Sequence, residues 1–131
     1  MAAYQKDFNG WNKQKKRLHQ NKRKTYFDKR EVWWCALGVN VGFEQDGAGY
    51  AHQRPVVILK KLSRETCLVV PLTTSNRTHP LRLPAGVTGG KESYAILSQV
   101  RVVDVGRFME KVGTIEIEKF DEIRKTIKDM L

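Results

Sequence analysis

The sequence predicts a mainly β fold with helices, in which a small barrel of short strands carries a C-terminal helix and a basic helical extension at the N-terminus. Apolar, β-branched runs of strand length follow one another closely from about residue 30 to residue 115. A helical apolar pattern ends the chain, and a polar, basic segment begins it. With 131 residues the chain has the size of one ordinary domain. We therefore expect an extension over residues 1–29 and a barrel domain over residues 30–131.

The N-terminal extension is polar and favours a helix over residues 5–25. Phe8, Trp11 and Leu18 are spaced three and seven residues apart, which places them on one face of that helix. So thin an apolar stripe predicts a helix that docks weakly on the main body and leaves its Lys and Arg side chains in water.

The strand region alternates short apolar runs with Gly-rich turns. Gly89-Gly90 marks a turn, and Gly38–Gln53 is a long Gly-rich loop. Strands so short and closely spaced usually curl into a small barrel, because closure removes exposed edges. The predicted strands are Glu31–Leu37, Arg54–Lys60, Thr66–Leu72, Leu81–Leu83 and Tyr94–Val103, with Lys111–Ile115 as a candidate for one more.

The C-terminal segment Glu116–Leu131 has the clearest helical pattern of the chain. Its apolar residues recur at spacings of three and four, which draws one stripe along a helix. We expect this helix to pack across the open side of the barrel. The stripe consists of Ile117, Phe120, Ile123, Ile127 and Met130.

The charge of the chain is concentrated near its N-terminus. The net charge is +10, and residues 1–30 hold ten basic and two acidic side chains, a net +8. A basic segment of this kind attracts polyanions, either nucleic acid or an acidic protein, and it also serves as a solubilising tail. No apolar run approaches the length needed to cross a bilayer, and no secretory signal is visible. We therefore expect a soluble cytoplasmic protein without a membrane partner.

No familiar metal, cofactor or nucleophile motif is present. Cys35 and Cys67 are isolated from each other, and the acidic residues of the strand region are not clustered. The informative pair is Arg54, which begins one predicted strand, and Thr73, which follows the next. If the two strands pair antiparallel, both residues lie at the same barrel edge, where a guanidinium and a hydroxyl suit a phosphodiester. From the residues alone, a surface arginine and a turn threonine remain the alternative.

Four sequence blocks, in their order and spacing, resemble the MazF/PemK/Kid family of toxins from toxin–antitoxin pairs. The blocks are EVWWCALGVNVGFEQDG, QRPVVILKK, TCLVVPLTTS and SYAILSQVRVVDVGRF. The similarity covers residues 30–131. Its most specific elements are G-x-E-Q-x-G at Gly42–Gly47, the R-P-V-V that follows, P-L-T-T-S, and Q-V-R-V-V-D at Gln99–Asp104.

The resemblance implies an SH3-like barrel and an endoribonuclease of the mRNA interferase type. Such an enzyme cleaves single-stranded RNA at specific sequences without metal or other cofactor, and the attacking group is the RNA's own 2′-hydroxyl. The resemblance also implies a homodimer that binds RNA across its dimer face. Its protein partner is a small antitoxin whose acidic, flexible tail occupies the RNA groove.

Carried over by position, the resemblance makes Arg54 the catalytic arginine, acting in proton transfer and charge stabilisation, and Thr73 the residue that holds the scissile phosphate. His52 is a candidate proton carrier, with an ordinary loop histidine as the alternative. Ser98, Gln99 and Arg101 are expected on a strand that lines the RNA groove, and Gln99 has structural support of the barrel as its alternative role. The residues assigned to RNA contact are Glu44, Gln45, Thr74, Ser98, Gln99 and Arg101.

The chain departs from the family pattern in two places. Relatives of the Kid kind use a loop histidine and a groove aspartate, and Phe43 and Ser98 stand at those positions here. The loop from Gly47 to Arg54 is also longer than in compact members. The second function class is a non-catalytic binder on the same barrel, either a DNA gyrase inhibitor of the CcdB type or an RNA-binding module. The intact R-P and P-L-T-T-S blocks argue against that class.

Overall fold

The computed structural model describes residues 5–20, 26–38 and 53–131 of the chain. Within these ranges the chain forms two α-helices, seven strands and two single-turn 3₁₀ helices. None of the described helices is both long and apolar enough to span a membrane. In chain order the elements are α1 (Phe8–Gln20), β1 (Glu31–Ala36), β2 (Gln53–Lys61), β3 (Thr66–Thr73), β4 (Arg82–Thr88), β5 (Lys91–Ile96), the 3₁₀ helix Leu97–Gln99, β6 (Arg101–Asp104), the 3₁₀ helix Val105–Arg107, β7 (Phe108–Thr114) and α2 (Ile117–Asp129).

The strands form one curled antiparallel sheet, with the spatial order β4-β5-β3-β2-β1-β7 and with β6 also paired to β3. The predicted mainly β fold with a C-terminal helix is therefore confirmed. Strand β3 has two partners on one side. Its first half, Thr66–Val69, pairs with β6, and its last residues, Leu72 and Thr73, pair with β5. The change of partner occurs around Pro71, which is buried and has no backbone N–H to donate.

Two predicted strands differ from the observed ones. The predicted Tyr94–Val103 strand is divided into β5, a 3₁₀ turn and β6, because the chain leaves one half of β3 to join the other. The predicted Leu81–Leu83 strand is the beginning of the longer β4, whose signal is weakened by Pro84 and Gly86 at a register shift in the edge strand. Such residues are tolerated at edges and bulges, where no ladder is interrupted.

The two faces of the sheet bury two separate hydrophobic clusters, because neighbouring residues of a strand point to opposite faces. Cluster 1 lies on the face that α2 covers, and cluster 2 lies on the opposite face. Cluster 1 includes Val32, Val57, Leu59, Val70, Leu72, Ala85, Ala95, Leu97, Ile115, Phe120 and Ile123. Cluster 2 consists of Phe27, Trp33, Cys35, Leu37, Val56, Ile58, Cys67, Val69, Val103 and Phe108.

Helix α2 packs on cluster 1 through the middle of its predicted stripe. Phe120 and Ile123 are buried, and Ile127 is half-buried against the same cluster. The ends of the stripe behave differently, since Ile117 is 44% exposed and Met130 is 40% exposed. The contact between α2 and cluster 1 is therefore made by the central part of the stripe, and its two ends face solvent.

Helix α1 is anchored more firmly than its thin stripe predicts. Trp11 is only 6% exposed and packs with Ala36 of β1 and with Leu18 of its own helix. Phe8, which the spacing places on the same face, is 54% exposed. The helix begins where the Asp7 carboxylate accepts a hydrogen bond from the backbone N–H of Gly10 at 2.9 Å. One buried indole thus docks the extension on the sheet.

Arg30 fastens the start of the barrel domain to its end. Its backbone is left-handed, with φ of 73°, which is uncommon for a residue with a side chain. Its N–H donates to the Ile58 carbonyl at 2.9 Å, and its carbonyl accepts from the N–H of Ile115 at 3.1 Å. The guanidinium then donates to the Ile115 carbonyl from Nη2 at 3.0 Å. These bonds hold the otherwise unfavourable backbone conformation in place.

Candidate active site

The antiparallel pairing of β2 and β3 brings Arg54 and Thr73 to one end of the sheet. Val56 lies opposite Pro71, and the same register continued by two residues aligns Arg54 with Thr73. The Arg54 Nη1 atom donates a hydrogen bond to the carbonyl of Leu72, the residue before Thr73, at 3.2 Å. Both side chains are half-buried at this edge. The two residues expected at the same end of their strands are therefore neighbours across the hairpin.

The Thr73 hydroxyl retains hydrogen-bonding capacity at this position. Its Oγ1 accepts from the backbone N–H of Ser75 at 3.2 Å, which is the turn role that residue type alone suggests. A hydroxyl also carries one donor and a second lone pair. The backbone of Thr73 is held by pairing with Tyr94 of β5. The hydroxyl is thus oriented by the turn and still able to donate to an anion.

A second basic residue, Arg101, points to the same face of the sheet as Arg54 and Thr73. Arg101 lies opposite Val69 in the β3–β6 pair, and Arg54 lies opposite Cys35 in the β1–β2 pair. Residues directly opposite one another project to the same face, and Cys35 and Val69 both belong to cluster 2. Arg101, to which the resemblance assigns an RNA contact, begins strand β6.

Arg107 is a further basic residue near this end of the sheet, and the sequence analysis did not single it out. Its Nη1 donates to the Ala36 carbonyl at 3.1 Å, and its guanidinium lies 5.4 Å from the centre of a Trp11 ring. Burial lowers the pKa of Arg107, and the positive charge of Arg101 lowers it further. Neither arginine forms an ion pair with another residue of the described ranges. The local sequence feature that indicates a turn before Arg107 is Asp104, whose carboxylate accepts a hydrogen bond from the Gly106 N–H at 2.8 Å.

The thiol of Cys35 lies beneath these guanidinium groups but is not chemically active. Burial raises its pKa to about 12, although the charges of Arg107 and Arg101 act in the opposite direction. A thiol with so high a pKa is neutral at physiological pH, and only the thiolate is a strong nucleophile. Cys35 therefore belongs to the core, and the chemical groups available at this edge are guanidinium and hydroxyl.

The remaining predicted site residues fall into three groups. Thr74 is exposed immediately after β3. Ser98 and Gln99 were expected on a strand, and this was wrong: both lie in the 3₁₀ turn Leu97–Gln99, with Ser98 exposed and Gln99 half-buried. The turn is needed where the chain passes between the two partners of β3. The last group lies outside the described residues, and consists of Glu44, Gln45 and His52, together with Phe43.

The tryptophan pair of β1 is divided between core and surface, as strand alternation predicts. Trp33 is buried in cluster 2, with its ring centre 4.8 Å from that of Phe27. Trp34 is half-buried and lies opposite Pro55. Within the described part of the chain, no three His, Cys, Asp or Glu side chains come together as metal ligands would.

A family model matches most of the chain. Residues 28–131 match the model described as PemK-like, MazF-like toxin of type II toxin–antitoxin system. The chain therefore belongs to this family of toxins, as its four sequence blocks suggest. A comparison of the sequence with curated proteins gives no significant match.

Known structures of similar fold come from the same group of toxins. A MazF from Deinococcus radiodurans is 17% identical with a TM-score of 0.69, and the match covers 82% of this chain and 97% of that one. A mycobacterial endoribonuclease in complex with its cognate antitoxin is 16% identical with a TM-score of 0.58, covering 79% and 93%. The Mycobacterium tuberculosis toxin MazF-mt6 is 19% identical with a TM-score of 0.53, covering 64% and 91%. These likenesses confirm the fold.

Proposed function

We propose that this toxin is a metal-independent endoribonuclease that cleaves single-stranded RNA at specific sequences, with Arg54 and Thr73 as its catalytic residues. The observation that carries the proposal is the alignment of Arg54 with Thr73 at the same end of strands β2 and β3. The Arg54 guanidinium lies 3.2 Å from the carbonyl oxygen of Leu72, the residue before Thr73. Family membership supports it, and so does the similarity in fold to a mycobacterial endoribonuclease.

The reaction proceeds by transfer of the phosphodiester to the neighbouring ribose oxygen. The 2′-oxygen attacks phosphorus, and the bond from phosphorus to the 5′-oxygen of the next nucleotide breaks. The proton of the 2′-hydroxyl is removed, and a proton is delivered to the departing 5′-oxygen. The products are a 2′,3′-cyclic phosphate and a 5′-hydroxyl. Because the substrate supplies the nucleophile, the protein needs to provide only charge stabilisation, orientation and proton transfer.

The two side chains have separate roles in this scheme. Arg54 donates to the non-bridging oxygens, whose negative charge grows in the pentavalent transition state, and takes part in proton transfer. Thr73 donates its hydroxyl proton to a phosphate oxygen and fixes the phosphate against the guanidinium. We assign RNA contacts to Thr74, Ser98, Gln99 and Arg101, and to Glu44 and Gln45 outside the described residues. His52, also outside them, is the candidate proton carrier.

The same edge suits an acidic protein segment, so we propose a small antitoxin with an acidic tail as the cellular partner. Carboxylates and phosphates present similar oxygen pairs to a guanidinium fork, and Arg54 and Arg101 face the same side of the sheet. The mycobacterial relative is known in complex with its cognate antitoxin. We further propose that the toxin acts as a homodimer, which light scattering of the purified protein tests directly.

Removal of either catalytic side chain should abolish cleavage and leave the fold intact. We expect Arg54→Ala and Thr73→Ala to lower the rate of cleavage of a long mixed-sequence RNA by about 100-fold or more in EDTA, since loss of one donor to a developing oxyanion costs this much. Arg64→Ala is the matched control, because Arg64 is exposed in the turn at the other end of the β2–β3 hairpin. The readout is mapped RNA ends carrying 2′,3′-cyclic phosphates.

Two outcomes would contradict the proposal. One is a wild-type protein that is folded and as inert towards RNA as Arg54→Ala. The other is growth inhibition in cells that persists in both Arg54→Ala and Thr73→Ala, which would instead indicate a non-catalytic binder such as a gyrase inhibitor or an RNA-binding module.

A further inference from the structure

Helix α1 combines a strong positive charge with a built docking site, which a solubilising tail does not need. The described residues 5–20 hold five basic side chains and one acidic side chain. A tail that only adds charge works without any contact to the domain. Here the helix instead buries an indole on the sheet, with Trp11 packed against Ala36. Its position relative to the barrel is therefore specified.

The docking site is shaped for the indole by Gly38. This glycine is left-handed, with φ of 77°, a conformation that residues with side chains rarely adopt. A methyl group at Gly38 would overlap ring atoms Cε2 and Cζ2 of Trp11. The Arg107 guanidinium completes the site at 5.4 Å from a Trp11 ring. We call the set Trp11, Gly38 and Arg107 the latch.

The latch lies beside the candidate active site. Ala36, on which Trp11 packs, is opposite Gln53 in the β1–β2 pair, and Cys35 is opposite Arg54. Arg107 holds the Ala36 carbonyl and lies close enough to Arg101 for their charges to interact. Arg107 thus contacts both α1 and the strand that lies beside Arg54.

The side of α1 away from Trp11 carries Lys13, Lys16 and Arg17, all of them exposed. At 3.6 residues per turn these three residues lie on the face opposite the indole. We call them the basic face. Since the latch fixes the helix, the basic face is held at a set distance from Arg54 and is not free to sample the solvent as a disordered arm would.

We propose that the latched α1 is a second phosphate-binding surface of this toxin, and that its basic face binds the backbone of single-stranded RNA that flanks the scissile phosphate. This inference rests on the proposed function for its substrate. It assigns to α1 a sequence-independent role, because contacts to phosphates position a nucleic acid and carry no base information. Arg107 is a positioning residue here, acting through Trp11.

The test measures RNA binding in a Thr73→Ala background, so that cleavage plays no part. The variant Lys13→Gln, Lys16→Gln, Arg17→Gln removes the basic face. Its matched control is Lys91→Gln, Lys125→Gln, Lys128→Gln, which removes the same charge from exposed positions on the β4–β5 hairpin and α2. Loss of three phosphate contacts should reduce the slope of log K against log salt by about 2, since single strands give roughly 0.7 per contact. The control should change the slope much less.

The latch is tested separately with Trp11→Ala and Gly38→Ala, each in the same background. Both should raise the Kd for the long RNA at fixed salt, because binding must then also order the helix. Trp11→Phe keeps an aromatic ring in the site and should restore most of the affinity. Thermal unfolding of each variant verifies that the domain remains folded.

Three results would overturn the inference. The first is an equal effect of the basic-face variant and its control on the salt slope. The second is an unchanged RNA affinity in both Trp11→Ala and Gly38→Ala. The third is a basic-face variant that loses affinity for a poly-glutamate peptide and not for RNA, which would assign α1 to an acidic protein. Failure of the proposed nuclease would appear differently, as an absence of cleavage by the wild type with the binding results unaffected.

Discussion

At the scale of single residues, burial decides which polar groups are available for chemistry. Cys35 and Cys67 are both fully buried in cluster 2, and burial raises the pKa of each thiol, to about 12 for Cys35. Arg54 lies directly opposite Cys35 on the neighbouring strand, and Thr73 lies on the same strand as Cys67, yet both are only half-buried and keep access to solvent. The contrast shows why the site has guanidinium and hydroxyl groups and no usable thiolate.

We expect neither thiol of the native protein to react with Ellman's reagent at about pH 8, where an ordinary exposed cysteine is partly ionised. Both thiols should react at once in guanidinium chloride, which provides the control for reagent and protein concentration. Fast labelling of Cys35 in the native protein would show that cluster 2 opens near Arg54, and fast labelling of Cys67 would show that it opens near the β2–β3 turn.

At the scale of elements, Glu31 ties β1 to β7. Its carboxylate forms an ion pair with Lys111 at 3.1 Å and accepts hydrogen bonds from Trp33 Nε1 and from the Asp28 N–H, both at 3.0 Å. Burial by itself raises the pKa of Glu31, but the hydrogen bonds from Trp33, Lys111 and Asp28 outweigh it and hold the pKa below its ordinary value. The ionised form is therefore favoured in the folded state.

The sign of this shift predicts a loss of stability in acid. A carboxylate whose pKa is lowered in the folded state stabilises the fold at pH values above its ordinary pKa of 4.5. This contribution is lost as the pH falls through the folded-state pKa. Glu31→Gln should therefore lower the urea midpoint at about pH 7 and show a smaller further loss towards about pH 3 than the wild type. Glu92→Gln, at an exposed position of β5, is the control. An equal acid sensitivity of Glu31→Gln and wild type would contradict the assignment.

The strands and helices were predictable from sequence where the local residue pattern favours the same structure as the packing against the rest of the chain. The runs that became β1, β2 and β3 are apolar enough to need burial wherever they pack, and the hairpin that brings Arg54 to Thr73 follows from antiparallel pairing of neighbouring runs. Ser98 and Gln99 were misplaced because their 3₁₀ turn results from the way β3 divides its partners. Arg107 was missed, and the docking of Trp11 was expected to be weaker than it is, because these two residues contact each other across a separation that no spacing rule connects.

At the scale of the whole molecule, the sheet buries one hydrophobic cluster on each face. The same strands contribute to both clusters, but each cluster consists of different side chains. Ile58 and Ile123 are fully buried in clusters 2 and 1, on opposite faces. We expect Ile58→Val and Ile123→Val each to cost about 0.5–1.5 kcal/mol, and their effects to add within about 0.5 kcal/mol in urea unfolding.

The comparison pair for this test lies within one cluster. Ile58 is directly opposite Val69 in the β2–β3 register. Ile58→Val combined with Val69→Ala should therefore depart from additivity, because the two side chains share a cavity. Equal additivity of both pairs would mean that the faces are not energetically separate.

Pro71 ties the curvature of the sheet to the spacing of the proposed catalytic groups. It is buried where β3 passes from β6 to β5, two residues before Thr73 and opposite Val56, which is two residues after Arg54. Proline has no backbone N–H to donate to either neighbouring strand at this point. We therefore expect a substitution at Pro71 to change the separation of Arg54 and Thr73, and with it the fit of the proposed site to a phosphate, although both side chains remain intact.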